Sequence, residues 1–305
     1  MITRAPWGGL ATGVDRPPDV LILGVPYDGS ACWRAGAAEA PRRLREISAT
    51  SPAVSEVGEI VDPGRFLVRD LGDVAVEGTP APEAYFARVE TAARRAMTTE
   101  RAPFVLSLGG DHSVTIPLVR AFASARDEPF GVVHLDAHPD LFDTYDGSPL
   151  SNACPMRRAL ETGRLAPEHL LILGTRSYNP VELDFMREHG IRFVPARELD
   201  RGGVEAAVAL ARERLDGLGR VYVTLDIDVA DPACAPGTGA PVAGGLSSRQ
   251  LLDLTRGLLE ALPVEAMDIV EIAPPLDPTD ATLFLGLQLV FETFAVRARR
   301  AARPW

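Results

Sequence analysis

The sequence predicts a three-layer α/β fold built on one doubly wound sheet, and three observations point to it. Eight short β-rich runs recur along the 305 residues, and helical patterns fall between them. Several runs, among them DVLILGV, PFVLSL and RVYVTLD, are apolar nearly throughout, as parallel strands covered on both faces are. No internal repeat, low-complexity tract or long linker divides the chain, so residues 1–305 read as a single domain.

The expected strands are 19–25, 66–69, 103–108, 131–136, 169–174, 191–194, 220–226 and 265–271. The expected helices are 40–48, 82–97, 113–125, 155–162, 180–189, 204–215, 247–261 and 281–297. Asp111 is well placed as the N-cap of the third. The closing ARRAARPW reads as a solvated helix end or a subunit contact.

Composition excludes several functions. Acidic residues outnumber basic ones by 42 to 31, giving a net charge of −11, the reverse of what a phosphate-backbone binder needs. Nucleic acid is therefore not an expected partner. Every basic side chain is arginine, which removes lysine Schiff bases and the lysine of a phosphate-cradling loop. No apolar run approaches the ~18 residues a membrane span needs, and no membrane association is expected. The first residues lack the apolar core of a signal peptide. Cys32, Cys154 and Cys234 are odd in number and widely spaced, and read as free thiols in a reducing cytoplasm.

Parallel sheets carry their sites beyond the carboxyl ends of the strands, and the polar residues gather there. Gly109-Gly110-Asp111-His112-Ser113 follows PFVLSL, Asp136-Ala137-His138-Pro139-Asp140 follows GVVHL, and Asp226-Ile227-Asp228 follows RVYVTL. Glu271 closes the last run. The D-x-H-x-D and D-x-D spacings put the ligands on the same side of an extended backbone, because strand periodicity is two. His112, Asp136, His138, Asp140, Asp226 and Asp228 then form a thiolate-free set that suits Mn, Zn, Fe or Ni, with ligands enough for two ions. So many carboxylates together would repel without a cation.

GGDHS, HLDAHPD and TLDIDVADP, followed by GTGAPVAGG and VEIAP, resemble the ureohydrolase (arginase/agmatinase) family, closest to its agmatinase-like members. GVPYDGSACWRAGAAEAPRRLREIS and DLGDV at residues 70–74 fit the same resemblance, which runs from about residue 20 to 295. It implies an eight-stranded, mostly parallel sheet and two bridged Mn²⁺ ions, with Ni²⁺ able to use the same ligands. It also implies a homo-oligomer, trimeric or hexameric, and hydrolysis of a small molecule's guanidino group to urea and an amine. Carried over by position, His112, Asp136, Asp140 and Asp226 would hold one ion or bridge the pair, and His138 and Asp228 would complete the second. Glu271 would orient the planar guanidinium, and Asp140 would carry the proton from nucleophile to leaving amine. Ser113 and Asp231 would hold backbone, and His134 would be packed behind the ligands.

The chain departs from the family at several positions. Asn152 stands where many agmatinases carry a histidine and cannot shuttle protons at pH 7. Ala35 and Ala38 replace the usual Pro and Arg. A run that reads the arginine head group is missing, so agmatine is the leading substrate, with putrescine as the amine. Asp143 and Asp146 could attract its distal ammonium, whereas Arg157, Arg158 and Arg176 could meet a carboxylate instead. The alternatives are another guanidino compound, such as guanidinobutyrate or a biosynthetic intermediate, a formimidoyl compound, or a noncatalytic metal-binding regulatory subunit. Trp33 and Cys154 are candidates for the pocket wall, and His169 and His189 are expected to take no part.

Overall fold

The computed structural model describes residues 5–11, 16–76, 81–99 and 102–301. Eight strands form one all-parallel sheet: β1 (Val20–Val25), β2 (Val68–Asp73), β3 (Phe104–Gly109), β4 (Gly131–Leu135), β5 (Leu170–Thr175), β6 (Arg192–Pro195), β7 (Val221–Asp226) and β8 (Val264–Val270). Their order is β2-β1-β3-β8-β7-β4-β5-β6. The four strands whose ends carry the chemistry, β3, β8, β7 and β4, are thus consecutive at the centre of the sheet.

Two-residue periodicity sends alternate side chains of each strand to opposite faces. In β1, Val20 and Ile22 join one apolar cluster while Leu21, Leu23 and Val25 join the other. The first cluster takes Leu44 of α1 (Ala40–Ser48), Ala211 of α7 (Val204–Arg214), Leu251 and Leu258 of α8 (Ser248–Ala261), and Phe291 and Phe294 of α9 (Ala281–Ala301). The second takes Tyr85 and Val89 of α2 (Pro82–Met97), Phe122 of α3 (Thr115–Ala125), Met156 of α4 (Pro155–Leu160) and Met186 of α5 (Pro180–His189). Helices thus cover both faces, which gives the three layers.

Three expectations change. A seven-residue helix, α6 (Ala196–Gly202), follows Pro195 where none was expected. The strand expected at 66–69 runs instead through the polar VRDLGD at the sheet edge, where Arg45 pairs with Asp70 at 2.8 Å. α9 is long and apolar enough to cross a membrane by length and composition, against the expectation from runs of apolar residues. It is 72% buried over that window, and its inward side belongs to the core. The end of ARRAARPW lies outside the described residues.

Candidate metal centre

Each contributing loop is fixed by its own backbone chemistry. At the end of β3, Asp111 caps the turn His112–Val114 by accepting from Ser113 N at 3.0 Å. Gly110 is required there, because a Cβ would fall 1.7 Å from Tyr27 O. The D-x-H-x-D and D-x-D motifs are not extended, contrary to the spacing argument. β4 stops at Leu135, and His138 N donates back to Asp136 Oδ1 at 2.6 Å. β7 stops at Asp226, and Asp228 N donates to Asp226 Oδ1 at 2.8 Å, closing a turn over Ile227–Val229. Aspartate favours such side-chain-to-backbone turns over a continued ladder.

These turns bring all six candidate ligands together. His112 Nδ1 lies 2.9 Å from Asp136 Oδ2, 2.9 Å from Asp140 Oδ2 and 3.3 Å from Asp226 Oδ2. His138 Nδ1 lies 3.3 Å from Asp136 Oδ1 and 3.1 Å from Asp228 Oδ2. Two donor groups able to hold a cation result, one from His112, His134, Asp136 and Asp140, the other from Asp136, His138 and Asp228. Asp136 belongs to both, one oxygen toward each. His134, expected to be packing, sits in the first group and meets Asp136 Oδ2 at 2.8 Å through Nε2. Its position two residues before Asp136, on the same strand face, was the available signal.

The residues present fit metal ions. His112 Nδ1 is buried, and although three carboxylates crowd it, none lies in line for a hydrogen bond. His112 Nδ1 and the carboxylates around it converge without hydrogen-bonding one another, which suits a cation between them. The electrostatics agree. Burial first, then Asp228 and Asp136, drive the Asp226 carboxyl well above the usual range. Burial works against a charged His112, but its carboxylate neighbours outweigh it and raise the imidazole well above its ordinary value. His138 is raised in the same way against burial, chiefly by Asp228. The cluster is short of positive charge.

Glu271 closes the site from β8. Its Oε1 accepts from His112 N at 2.8 Å, so one of the two oxygens expected for the guanidinium already holds backbone. Its backbone is left-handed, φ 62°, a costly conformation for glutamate that recurs at functional positions. Burial, then the charge of Asp111, pushes its carboxyl up to about 8. Asp140 is left-handed too, φ 53°, which aspartate tolerates better.

A cavity of about 300 Å³ opens onto His112, His138, Asp140, Asp226, Asp228 and Glu271. Its outer wall includes Cys32, Trp33, Arg34, Phe142, Tyr145, Asn152, Tyr178 and Glu182. Trp33 thus lines the cavity, but Cys154 does not; its thiol is buried and pushed up to about 11 by that burial. All three cysteines are free. Asn152 Nδ2 lies 3.7 Å from Cys32 Sγ. Glu182, unmarked in the sequence, accepts from Leu141 N and Asn179 N, and burial raises it to about 7.

The remaining candidates have other partners. Arg158 takes Asp143 at 2.7 Å and Glu161 at 2.6 Å. Arg157 lies 4.0 Å over the Phe185 ring. Arg176 donates to the carbonyls of Gly174, Asp228, Val229, Ala230 and Val242. Asp231 accepts from Ala233, Gly244 and Gly245 N, and holds backbone as expected. Asp146, His169 and His189 do not line the cavity.

A parallel α/β sheet whose central strand ends converge buried imidazoles and carboxylates on a small cavity is the framework of a metal-dependent hydrolase. The chain belongs to the Arginase family, whose model matches residues 18–295. It is thus a hydrolase of carbon–nitrogen bonds in linear amidines. It is 41% identical to the guanidinopropionase of Pseudomonas aeruginosa, with 93% of this chain and 88% of that one covered. It is 34% identical to the mitochondrial agmatinase of Gallus gallus, covering 91% and 81%. The solved proclavaminate amidinohydrolase of Streptomyces clavuligerus superposes with a TM-score of 0.84 at 31% identity, over 97% of this chain and 95% of that one.

Proposed function

We propose that this chain hydrolyses the guanidino group of a small guanidino acid to urea and the corresponding amino acid, using two divalent cations, Mn²⁺ foremost and Ni²⁺ next. The observation that carries the hydrolytic reading is the pair of donor groups sharing Asp136 beside a cavity that Glu271 also faces. Two such cations supply a hydroxide-like nucleophile at neutral pH.

The chain's residues do the rest. Glu271 receives the charge of the planar guanidinium and sets its orientation, while Oε1 keeps the His112 backbone in place. Asp140, which lines the cavity, accepts a proton from the nucleophile's side and returns it to the departing nitrogen. Asn152 hydrogen-bonds in the same cavity but holds no transferable proton, which leaves that work to Asp140.

The wall decides the substrate's tail. An agmatine ammonium needs a free carboxylate, but Asp143 is committed to Arg158. Glu182 already accepts a backbone N–H on each oxygen, and burial works against its charged form, so it is a weak partner for an ammonium. Arg34 is a cation on that wall, and among the described residues its Nε and Nη2 donate, to Gly239 O and Thr238 O, while Nη1 has no partner there and can meet a carboxylate. The guanidinopropionase relative acts on such an acid by its name, and the agmatinase relative keeps agmatine as the competing substrate.

The test is urea release from guanidinopropionate, guanidinobutyrate, agmatine and arginine, and formamide release from formiminoglutamate, with Mn²⁺ or Ni²⁺ added. The guanidino acids should turn over fastest. Preference for agmatine would overturn the reading of the tail. No product from any compound, despite two bound ions, would favour a noncatalytic subunit.

A further inference from the structure

Behind the cluster, away from the cavity, lies a buried carboxylate that the mechanism leaves unused. Asp268 of β8 is fully buried and pairs in register with Thr224 of β7. Three hydroxyls reach it: Thr224 Oγ1 at 2.6 Å, Tyr222 OH at 2.7 Å and Thr115 Oγ1 at 2.9 Å. Thr224 Oγ1 also lies 2.9 Å from His112 Nε2. Oγ1 of Thr115 is a further 3.4 Å neighbour of Thr224 Oγ1.

The direction of these bonds can be worked out. A carboxylate only accepts, and a hydroxyl has one proton. Thr224 therefore gives its proton to Asp268 and turns a lone pair toward His112. The imidazole must then keep a hydrogen on Nε2, so that Nδ1 is the nitrogen left to bind a cation. Nδ1 is the atom that faces Asp136, Asp140 and Asp226. Metal-binding histidines commonly have the far nitrogen fixed in this way. Here the fixing group is a charge one hydroxyl further back, on the strand lying between the two that carry His112 and Thr224.

We propose that Asp268, acting through Thr224, is a positioning residue that locks His112 in the Nε2–H tautomer and so aims Nδ1 at the cation. The inference rests on the metal-centre part of the proposed function. Thr224→Val keeps the side chain's shape and removes the hydroxyl, whereas Thr224→Ser keeps the hydroxyl. Both are titrated with Mn²⁺ alone, the free ion being followed by electron paramagnetic resonance, beside wild type and Asp268→Asn. Melting of the metal-free proteins reports folding.

Wild type should bind two ions. Thr224→Val and Asp268→Asn should lose about 10- to 100-fold in affinity at one of them. Thr224→Ser should stay near wild type. Thr224→Val binding both ions as wild type does, or Thr224→Ser falling with it, would overturn the inference. Should Asp268→Asn fail to fold, the Val and Ser pair still decides. Wild type binding fewer than two ions would instead sink the metal-centre reading.

Discussion

Arg176→Met removes the brace under half of the cluster. The guanidinium makes six hydrogen bonds to five carbonyls, including 2.7 Å bonds to Asp228 O and Val242 O. It carries the loop after β7, on which Asp228 sits. Each carbonyl that the substitution leaves dry costs ~1–3 kcal/mol, and one or two are expected. A net loss of about 2–4 kcal/mol follows, which in a chain of this size lowers Tm by about 3–6 °C. Scanning calorimetry of the metal-free protein measures that fall. A Mn²⁺ titration should show the ion held by Asp136, His138 and Asp228 weakened more than the other. Arg176→Lys, with three donors, should recover part of both. An unchanged Tm together with a raised KM for guanidino acids would refute the reasoning and make Arg176 a substrate contact.

Asp140→Asn should abolish urea release, by a factor of about 10³ or more, while leaving the fold intact, because asparagine also tolerates the left-handed backbone. Circular dichroism and initial rates check both halves, and a folded, metal-replete variant with wild-type rates would count against the assignment. Asp277, just before α9, accepts from Thr279 Oγ1 and N and from Thr282 N and Oγ1. Burial opposes its charge, but these bonds prevail and lower its carboxyl to about 2 from 3.8. A depressed carboxyl stabilises the fold above its unfolded value, and that contribution is lost as pH falls through the folded value. Asp277→Asn should therefore cost about 2 kcal/mol at pH 7, with the gap to wild type narrowing between pH of about 4 and 2. Urea unfolding across pH tests this, and a gap that ignores pH would contradict it.

Much of the frame was legible because burial on both faces leaves a plain signature. β1, β3, β5 and β7 lie within a residue or two of their apolar runs. The polar edge strand β2 was legible only in part, since one flank faces solvent and Arg45. α6 was hidden by its length, two turns wedged after Pro195. The six candidate ligands stood out at strand ends, yet the reason they meet was misjudged. Turns closed by Asp136 and Asp226 on their own backbones bring them in, where two-residue alternation was expected. What spacing could not reveal is which charged groups are already spent. Asp143, Arg158 and Arg176 look available in sequence, and only tertiary pairing shows that they are not. Asp268 and Thr224 were unmarked because their meaning lies across neighbouring strands.

The most direct test is to strip the wild-type chain with chelator, reload it with Mn²⁺, count the ions retained and assay guanidino acid hydrolysis on the same sample. Two ions per chain should be retained, with urea appearing only as they bind. Full turnover from protein holding at most one ion would contradict it.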